Sequence, residues 1–268
     1  MSEQKNPPEG AKDGLHKVGE IVEVIEEGDL VEIVDIEIYA KENKRPPRAK
    51  KYEFRIDREH FTVDHRKIGG EELFKLAQKS PEKWRMHQKL HGGQMKEIKV
   101  GDTVDLGEPG IERFVTMELT QGDGEQATAN EPLSASSETP SPRRDFRLPE
   151  DDEDYLNTLG LRWETVVERG VRWVILHDHP LPAGYTAKTV TIAIRIEGGY
   201  PPGKLDMAYF LPPLARADGV AIRKTEMHNI DGGTYQRWSR HYPWREVIDT
   251  FATHHLHIKD WLEAEPKR

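Results

Sequence analysis

Residues 234–251 read TYQRWSRHYPWREVIDTF. Ser239 stands there between Trp238 and an Arg240–His241 pair. A serine hydroxyl attacks a carbonyl only when a neighbour takes its proton, and histidine is the commonest such neighbour. In an extended segment, residues two apart project to the same side. Ser239 and His241 can therefore meet, although that spacing alone does not guarantee contact. The chain contains no cysteine. Thiol nucleophiles, disulfides and thiolate metal sites are excluded together. The plain alternative is a turn, the usual place of a serine in a polar loop.

Other groups could be taken for chemistry. His254 and His257 in HHLH are three apart and could share a helix face, as metal ligands do. No thiol or acidic partner is fixed nearby, so solvated or packed histidines are the expectation, with no metal and no cofactor. His177-Asp178-His179 lies at a strand end, where alternation turns Asp178 away from both neighbours. Gly92 and Gly93 in LHGG most simply serve a turn. Trp84, Trp163, Trp173 and Trp261 are expected as core or interface anchors.

The elements that must position these residues fall into two halves. The 268 residues allow one or two domains. Charged residues make up 32% and hydrophobic ones 35%, polar enough to suggest that part of the chain is tail or linker. The net charge of −9 makes nucleic acid a poor partner. No apolar run approaches a membrane span, and the N-terminus lacks the apolar core of a signal peptide, so the cytoplasm is the expected location.

Residues 1–17 read as a disordered tail, and 18–50 as a strand-like extension followed by a basic strap. Residues 51–117 form a compact unit. Tyr52, Phe54 and Ile56 alternate, a hairpin leads to Phe61 and Val63, and Leu73, Phe74, Leu76 and Ala77 then show helical spacing before Pro81. Hairpin, helix and strands in that order are the layout of a β-grasp. Residues 118–147 are rich in Ser, Thr, Pro and Glu and read as a linker, near thirty residues that would span roughly 30 Å. In 148–268 the expected order is a helix over EDDEDYLNTLGLRWETVVERG, strands over VRWVILHDHPLP and KTVTIAIRIEG, then an irregular stretch from Ala215 to Tyr242. A last helix follows, with Val247, Ile248, Phe251, Leu256, Ile258 and Leu262 as packing residues. The fold class is α+β, with a meander sheet in the second half.

The first half resembles the bacterial multiubiquitin family of ubiquitin-like domains. IYAKENKRPPRAKKYEFRID, IGGEELFKLAQKSP, LHGG and PGIERF carry the resemblance, in that order. The second half resembles family E of the prokaryotic ubiquitin-conjugating-like proteins, on HDHPLPAGY, GGYPPGKLDMAYFLPPL and WSRHYPW. Conjugating enzymes normally carry His-Pro-Asn and then a cysteine. Here MHNIDGG offers His228 and Asn229 with no proline between them, and no cysteine follows.

The resemblance implies an acyl-transfer centre. Ser239 stands near the place of the missing cysteine, and an oxyester to a ubiquitin-like C-terminus would replace the thioester. His241 would assist, and Asn229 would steady the oxyanion. Trp238, Arg240, His228 and Trp244 would form the supporting loop. A conjugated tail must end on a free glycine, and Gly122 and Gly124 are the candidates for processing. The implied partners are a ThiF-like, ATP-dependent activating enzyme, a ubiquitin-like domain in cis or in trans, and a JAB-type metallopeptidase. The implied setting is a bacterial ubiquitin-like pathway in phage defence. The alternative is an inactive conjugating fold that binds modifier and activating enzyme without a covalent step. A third reading has Ser239 replacing a natural cysteine.

Overall fold

The computed structural model describes residues 30–119 and 141–268. The tail, most of the strand extension before Leu30, most of the linker, and both Gly122 and Gly124 lie outside the described residues.

The first unit is built on a mixed sheet. Its elements are β1 (Val31–Asp35), α1 (Ile36–Lys41), β2 (Ala49–Ile56), β3 (Glu59–Val63), β4 (Lys67–Gly69), α2 (Gly70–Leu76), β5 (Trp84–Leu90), β6 (Met95–Ile98), β7 (Thr103–Asp105) and β8 (Ile111–Glu118). β3 takes one edge of β2, while β1 and β8 share the other edge in parallel. β5 and β6 continue the sheet beyond β8 in antiparallel fashion. Phe54, Phe114, Leu73 and Met86 meet in a closed core. The periodicity named most of these faces. It failed at Ile36–Tyr39, expected as strand and found within α1. There Asp35 accepts the Glu37 N–H at 3.0 Å and caps α1 instead.

The second unit runs α3 (Glu150–Thr158), β9 (Trp163–Glu168), β10 (Val171–Pro180), β11 (Thr189–Ile196), β12 (Ala208–Leu211), β13 (Thr225–Ile230), β14 (Gly233–Trp238) and α4 (Phe251–Ala264). The sheet order is β13-β14-β12-β11-β10-β9, antiparallel throughout. α3 and α4 pack on one face, around Leu156, Val174, Ile192, Phe210, Phe251 and Trp261. Two expectations need correction. The helix expected across Glu150–Gly170 stops at Thr158, because Gly160 turns with φ 64° and WETVVE then alternates into the sheet. The stretch from Ala215 to Tyr242 contains a regular hairpin, β13–β14, whose Asp231-Gly232 turn signal supplies the reversal. At the last helix, Val247 lies before the first turn and is 77% exposed, so it is not a packing residue.

The two units pack on each other. Lys89 of β5, only 9% exposed, pairs with Asp151 of α3 at 2.6 Å and with Glu112 at 2.9 Å. Arg85 reaches Asp260 of α4 at 3.3 Å. Met95 packs against the core of the second unit. Arg245, just before α4, bonds the Thr116 hydroxyl at 3.0 Å, the Thr116 carbonyl, and Asp57 at 3.4 Å. Its other side is held by Asp249 at 2.9 Å. Gly93 makes the closest approach. Its φ is 85°, and a Cβ there would sit 2.4 Å from the Tyr155 backbone nitrogen on α3. The turn expected of Gly93 is thus also a contact between the units.

A paired substitution separates turn from contact. Gly92 has φ 78° but nothing within 4 Å of an added Cβ. Gly92→Ala should show backbone strain alone, about 1–3 kcal/mol. Gly93→Ala should cost clearly more in urea unfolding and should raise protease sensitivity between the units. Equal costs would mean that the approach of Gly93 to Tyr155 contributes nothing.

Buried histidines make stability depend on pH. Burial pushes His87, His179 and His254 down to about 4, and His257 down to about 3, from 6.5. Above pH 6.5 these groups are neutral in both folded and unfolded chains. Below it the unfolded chain binds protons that the native rings refuse, so stability falls at up to about 1.4 kcal/mol per pH unit for each group. Asp152 works in the opposite direction. Burial raises its carboxyl to about 6, so the native state gains a proton there as pH falls. One such group does not offset four, and Tm should drop steeply between pH 6.5 and 4.5. A Tm that holds level over that range would refute the histidine account.

Candidate functional site

The segment after β14 is fixed at several points. Trp238 is fully buried and meets Phe210 edge-on, with ring centroids 4.8 Å apart. Its indole N–H donates to Gln236 at 2.9 Å, and Gln236 in turn spans both backbone groups of Leu214. The Ser239 N–H donates to the Lys224 carbonyl at 3.1 Å, which continues the β13–β14 ladder by one step. Arg240 lies over the Trp238 ring at 5.2 Å and pairs with Glu265 at 2.6 Å. Both partners of that pair are mostly buried, so it anchors the segment to the residues after α4. Tyr242 stacks on His257 at 3.7 Å and bonds His254 Nδ1 at 3.1 Å. His254 Nε2 donates to the Met207 carbonyl at 3.0 Å. A neutral His254 therefore accepts the hydrogen bond of the Tyr242 O–H on Nδ1, which explains why its burial is tolerated.

Ser239 is half-buried, and its hydroxyl makes no hydrogen bond among the described residues. His241 is 56% exposed, and its Nδ1 faces Asp206 Oδ1 at 2.8 Å. Asp206 stands just before β12, is only 18% exposed, and also accepts the Met207 N–H at 3.0 Å and the Lys204 ammonium at 3.1 Å. With Nδ1–H donated to the carboxylate, the lone pair of His241 sits on Nε2. Nε2 has no partner among the described residues. This is the tautomer that a general base needs. Sequence reasoning missed Asp206. Its only signal was a lone acid in GKLDMAY, thirty-five positions from its partner.

Asn229 is not part of this cluster. It pairs with Thr234 in the ladder and accepts the Thr234 hydroxyl at 3.1 Å, at the turn end of the hairpin. Ser239 leaves the opposite end. Five residues of strand separate the two positions, roughly 16 Å. The expectation that Asn229 steadies an oxyanion at Ser239 fails on that geometry. His228 lies beside Asn229, 3.7 Å from Glu226 and edge-on to Tyr209, and it too is remote from Ser239. Trp244 packs between Tyr200 and Tyr242 and supports the start of α4. His177 bonds Glu164 at 3.0 Å, while His179 is buried against His255, so HDH makes no single cluster. His254, His255 and His257 are all buried packing residues of α4.

Among the described residues, no helix is long and apolar enough to cross a membrane. No curated protein and no solved structure matches the chain. Two family models do. Residues 52–118 match Multiubiquitin, and residues 148–265 match Prokaryotic E2 family E. The chain is therefore a fusion of a multiubiquitin-type ubiquitin-like domain with a prokaryotic family E, ubiquitin-conjugating-like domain, of the kind that serves ubiquitin-like conjugation.

Proposed function

We propose that this chain accepts an activated ubiquitin-like C-terminus on Ser239 as an oxyester. The observation that supports the reading is the His241–Asp206 pair, which leaves Nε2 unpaired two residues from a half-buried serine whose hydroxyl does not bond the ring in this structure. Nε2 takes the Ser239 proton as Oγ attacks the activated glycyl carbonyl, and the imidazolium then returns it to the leaving group. Asp206 holds the ring and steadies its charge. The absence of cysteine from the chain makes a hydroxyl the available nucleophile in this segment. The N–H groups of His241 and Tyr242 make no hydrogen bond among the described residues, so they replace Asn229 as candidate oxyanion donors.

The partners follow from this chemistry. Activation of a carboxylate requires ATP and an activating enzyme of ThiF-like kind. A modifier tail must end on glycine, which a JAB-type metallopeptidase would expose. The ubiquitin-like modifier is supplied in trans, or in cis by trimming near Gly122 or Gly124. A second reading has one observation in its favour. The chain's own ubiquitin-like domain is docked on α3 and α4 through Lys89, Arg85 and Arg245, as an adaptor without a covalent step would display it.

Intact mass decides between them. The chain is incubated with the activating enzyme, ATP and a glycine-ended ubiquitin-like domain. A Ser239-dependent adduct should appear that resists thiols, falls apart in mild base, and is absent from Ser239→Ala. His241→Gln should slow loading roughly 10²-fold, the usual loss of a general base. No adduct, with the activating enzyme active in the same tube, would leave the adaptor reading.

A further inference from the structure

Asp206 serves two groups at once. Oδ1 faces the His241 ring at 2.8 Å, and Oδ2 accepts the Lys204 ammonium at 3.1 Å. Lys204 belongs to the Pro-rich turn Gly199–Asp206 that leads into β12, and its side chain is 62% exposed. One carboxylate thus ties a primary amine to the imidazole that stands two residues from Ser239. The lysine stem is long and flexible and its side chain is exposed, so Nζ is free to leave Asp206.

We propose that Lys204 is an acceptor site for the modifier carried on Ser239, so that the chain modifies itself. This rests on the oxyester reading above and adds the amine that consumes the ester. The deprotonated Lys204 Nζ attacks the glycyl carbonyl held on Ser239 Oγ. A C–N bond forms and the C–O bond to Oγ breaks. The proton lost from the attacking nitrogen passes through His241 Nε2 to the departing Oγ. Ser239 is restored as a hydroxyl, and Lys204 carries an isopeptide. Starting from the ammonium, one further proton goes to solvent. No oxidant, reductant or further co-reactant is needed, and the exchange runs from an ester to the more stable amide.

The neighbouring basic groups fit less well. The Lys224 backbone carbonyl accepts the Ser239 N–H, but no contact joins its side chain to Asp206 or His241 among the described residues. Arg240 is bound to Glu265 and is no nucleophile at any ordinary pH. Lys204 alone among the described lysines shares a partner with His241.

A time course tests the proposal on the full chain, with the activating enzyme, ATP and a glycine-ended ubiquitin-like domain as the probe. Each sample is split, one half is treated with mild base, and both are read by intact mass and peptide mapping. In the unaltered chain a base-labile adduct on Ser239 should appear first, followed by a base-stable adduct mapped to Lys204. In Lys204→Arg, which keeps a cation on Asp206, the base-stable adduct should be absent, and the base-labile one should persist several-fold longer. A base-labile adduct that never yields a base-stable one overturns the self-modification while leaving the oxyester intact. A base-stable adduct on another lysine, or one that survives Lys204→Arg, overturns Lys204 as the acceptor. Absence of any base-labile adduct removes the oxyester itself and this proposal with it.

Discussion

Helix α4 is covered from two sides, and most of the molecule is arranged around that constraint. Eleven of its 14 residues are buried. One face closes the core against Phe210 and Trp238, while another meets the ubiquitin-like domain at Arg85. Its exposed stripe is narrow, with Lys259 exposed between the part-exposed Leu256 and Glu263, so most of its polar groups need a partner inside. Thr250 and Thr253 cap the first turn reciprocally. His254 is satisfied at both ring nitrogens, while His255 bonds Tyr155 through Nδ1 and its Nε2, like Nδ1 of His257, is buried without a hydrogen bond among the described residues. A neutral ring offers one donor and one acceptor at little desolvation cost, which suits a position between two packed layers.

The proposed site inherits its rigidity from that helix. His254 and His257 hold Tyr242, and Trp244 packs beside it. Trp238 and the Arg240–Glu265 pair fix the other end. Ser239 and His241 lie between these anchors, where the β13–β14 ladder ends at the Ser239 N–H. Anchored flanks with a short irregular span after the last ladder bond are a sound way to offer a hydroxyl to a large partner, because the backbone at Ser239 is held while its side chain carries no bond.

Much of this was legible in the chain, and the failures share a cause. Alternation at Tyr52, Phe54 and Ile56 named the buried face of β2, and zero cysteines directed attention to hydroxyls. The α+β class and the two family assignments followed from several motifs in order. The partners of the side chains were not legible. Asp206 meets His241, Asp57 meets Arg245, and Lys89 meets Asp151 across long separations that local patterns do not encode. The family resemblance implies Asn229 as the oxyanion donor for Ser239, ten residues on. The hairpin instead turns those ten residues of chain into opposite ends of one ribbon. α1 was misread because IEIY alternates like a strand, while the cap from Asp35 decides the local fold.

The docked domain bears on which ubiquitin-like unit could be the modifier. Lys89 is almost fully covered and would lose its partner Asp151 if the domains parted. Met95 would leave the second core, and Arg245 would lose Thr116 and Asp57. Asp151 is 60% exposed and Lys89 keeps Glu112 of its own domain, so the weight of the junction lies on the Gly93 approach, Met95 and the contacts of Arg245 rather than on that pair. The ubiquitin-like domain of this chain therefore behaves as a wall of its conjugating-like partner rather than as detachable cargo. Under the proposed reaction, a modifier carried on Ser239 has to be bound less tightly than that. The energetics of the junction thus favour a modifier delivered in trans, with the resident domain holding α4, and through it the 239–242 segment, in place.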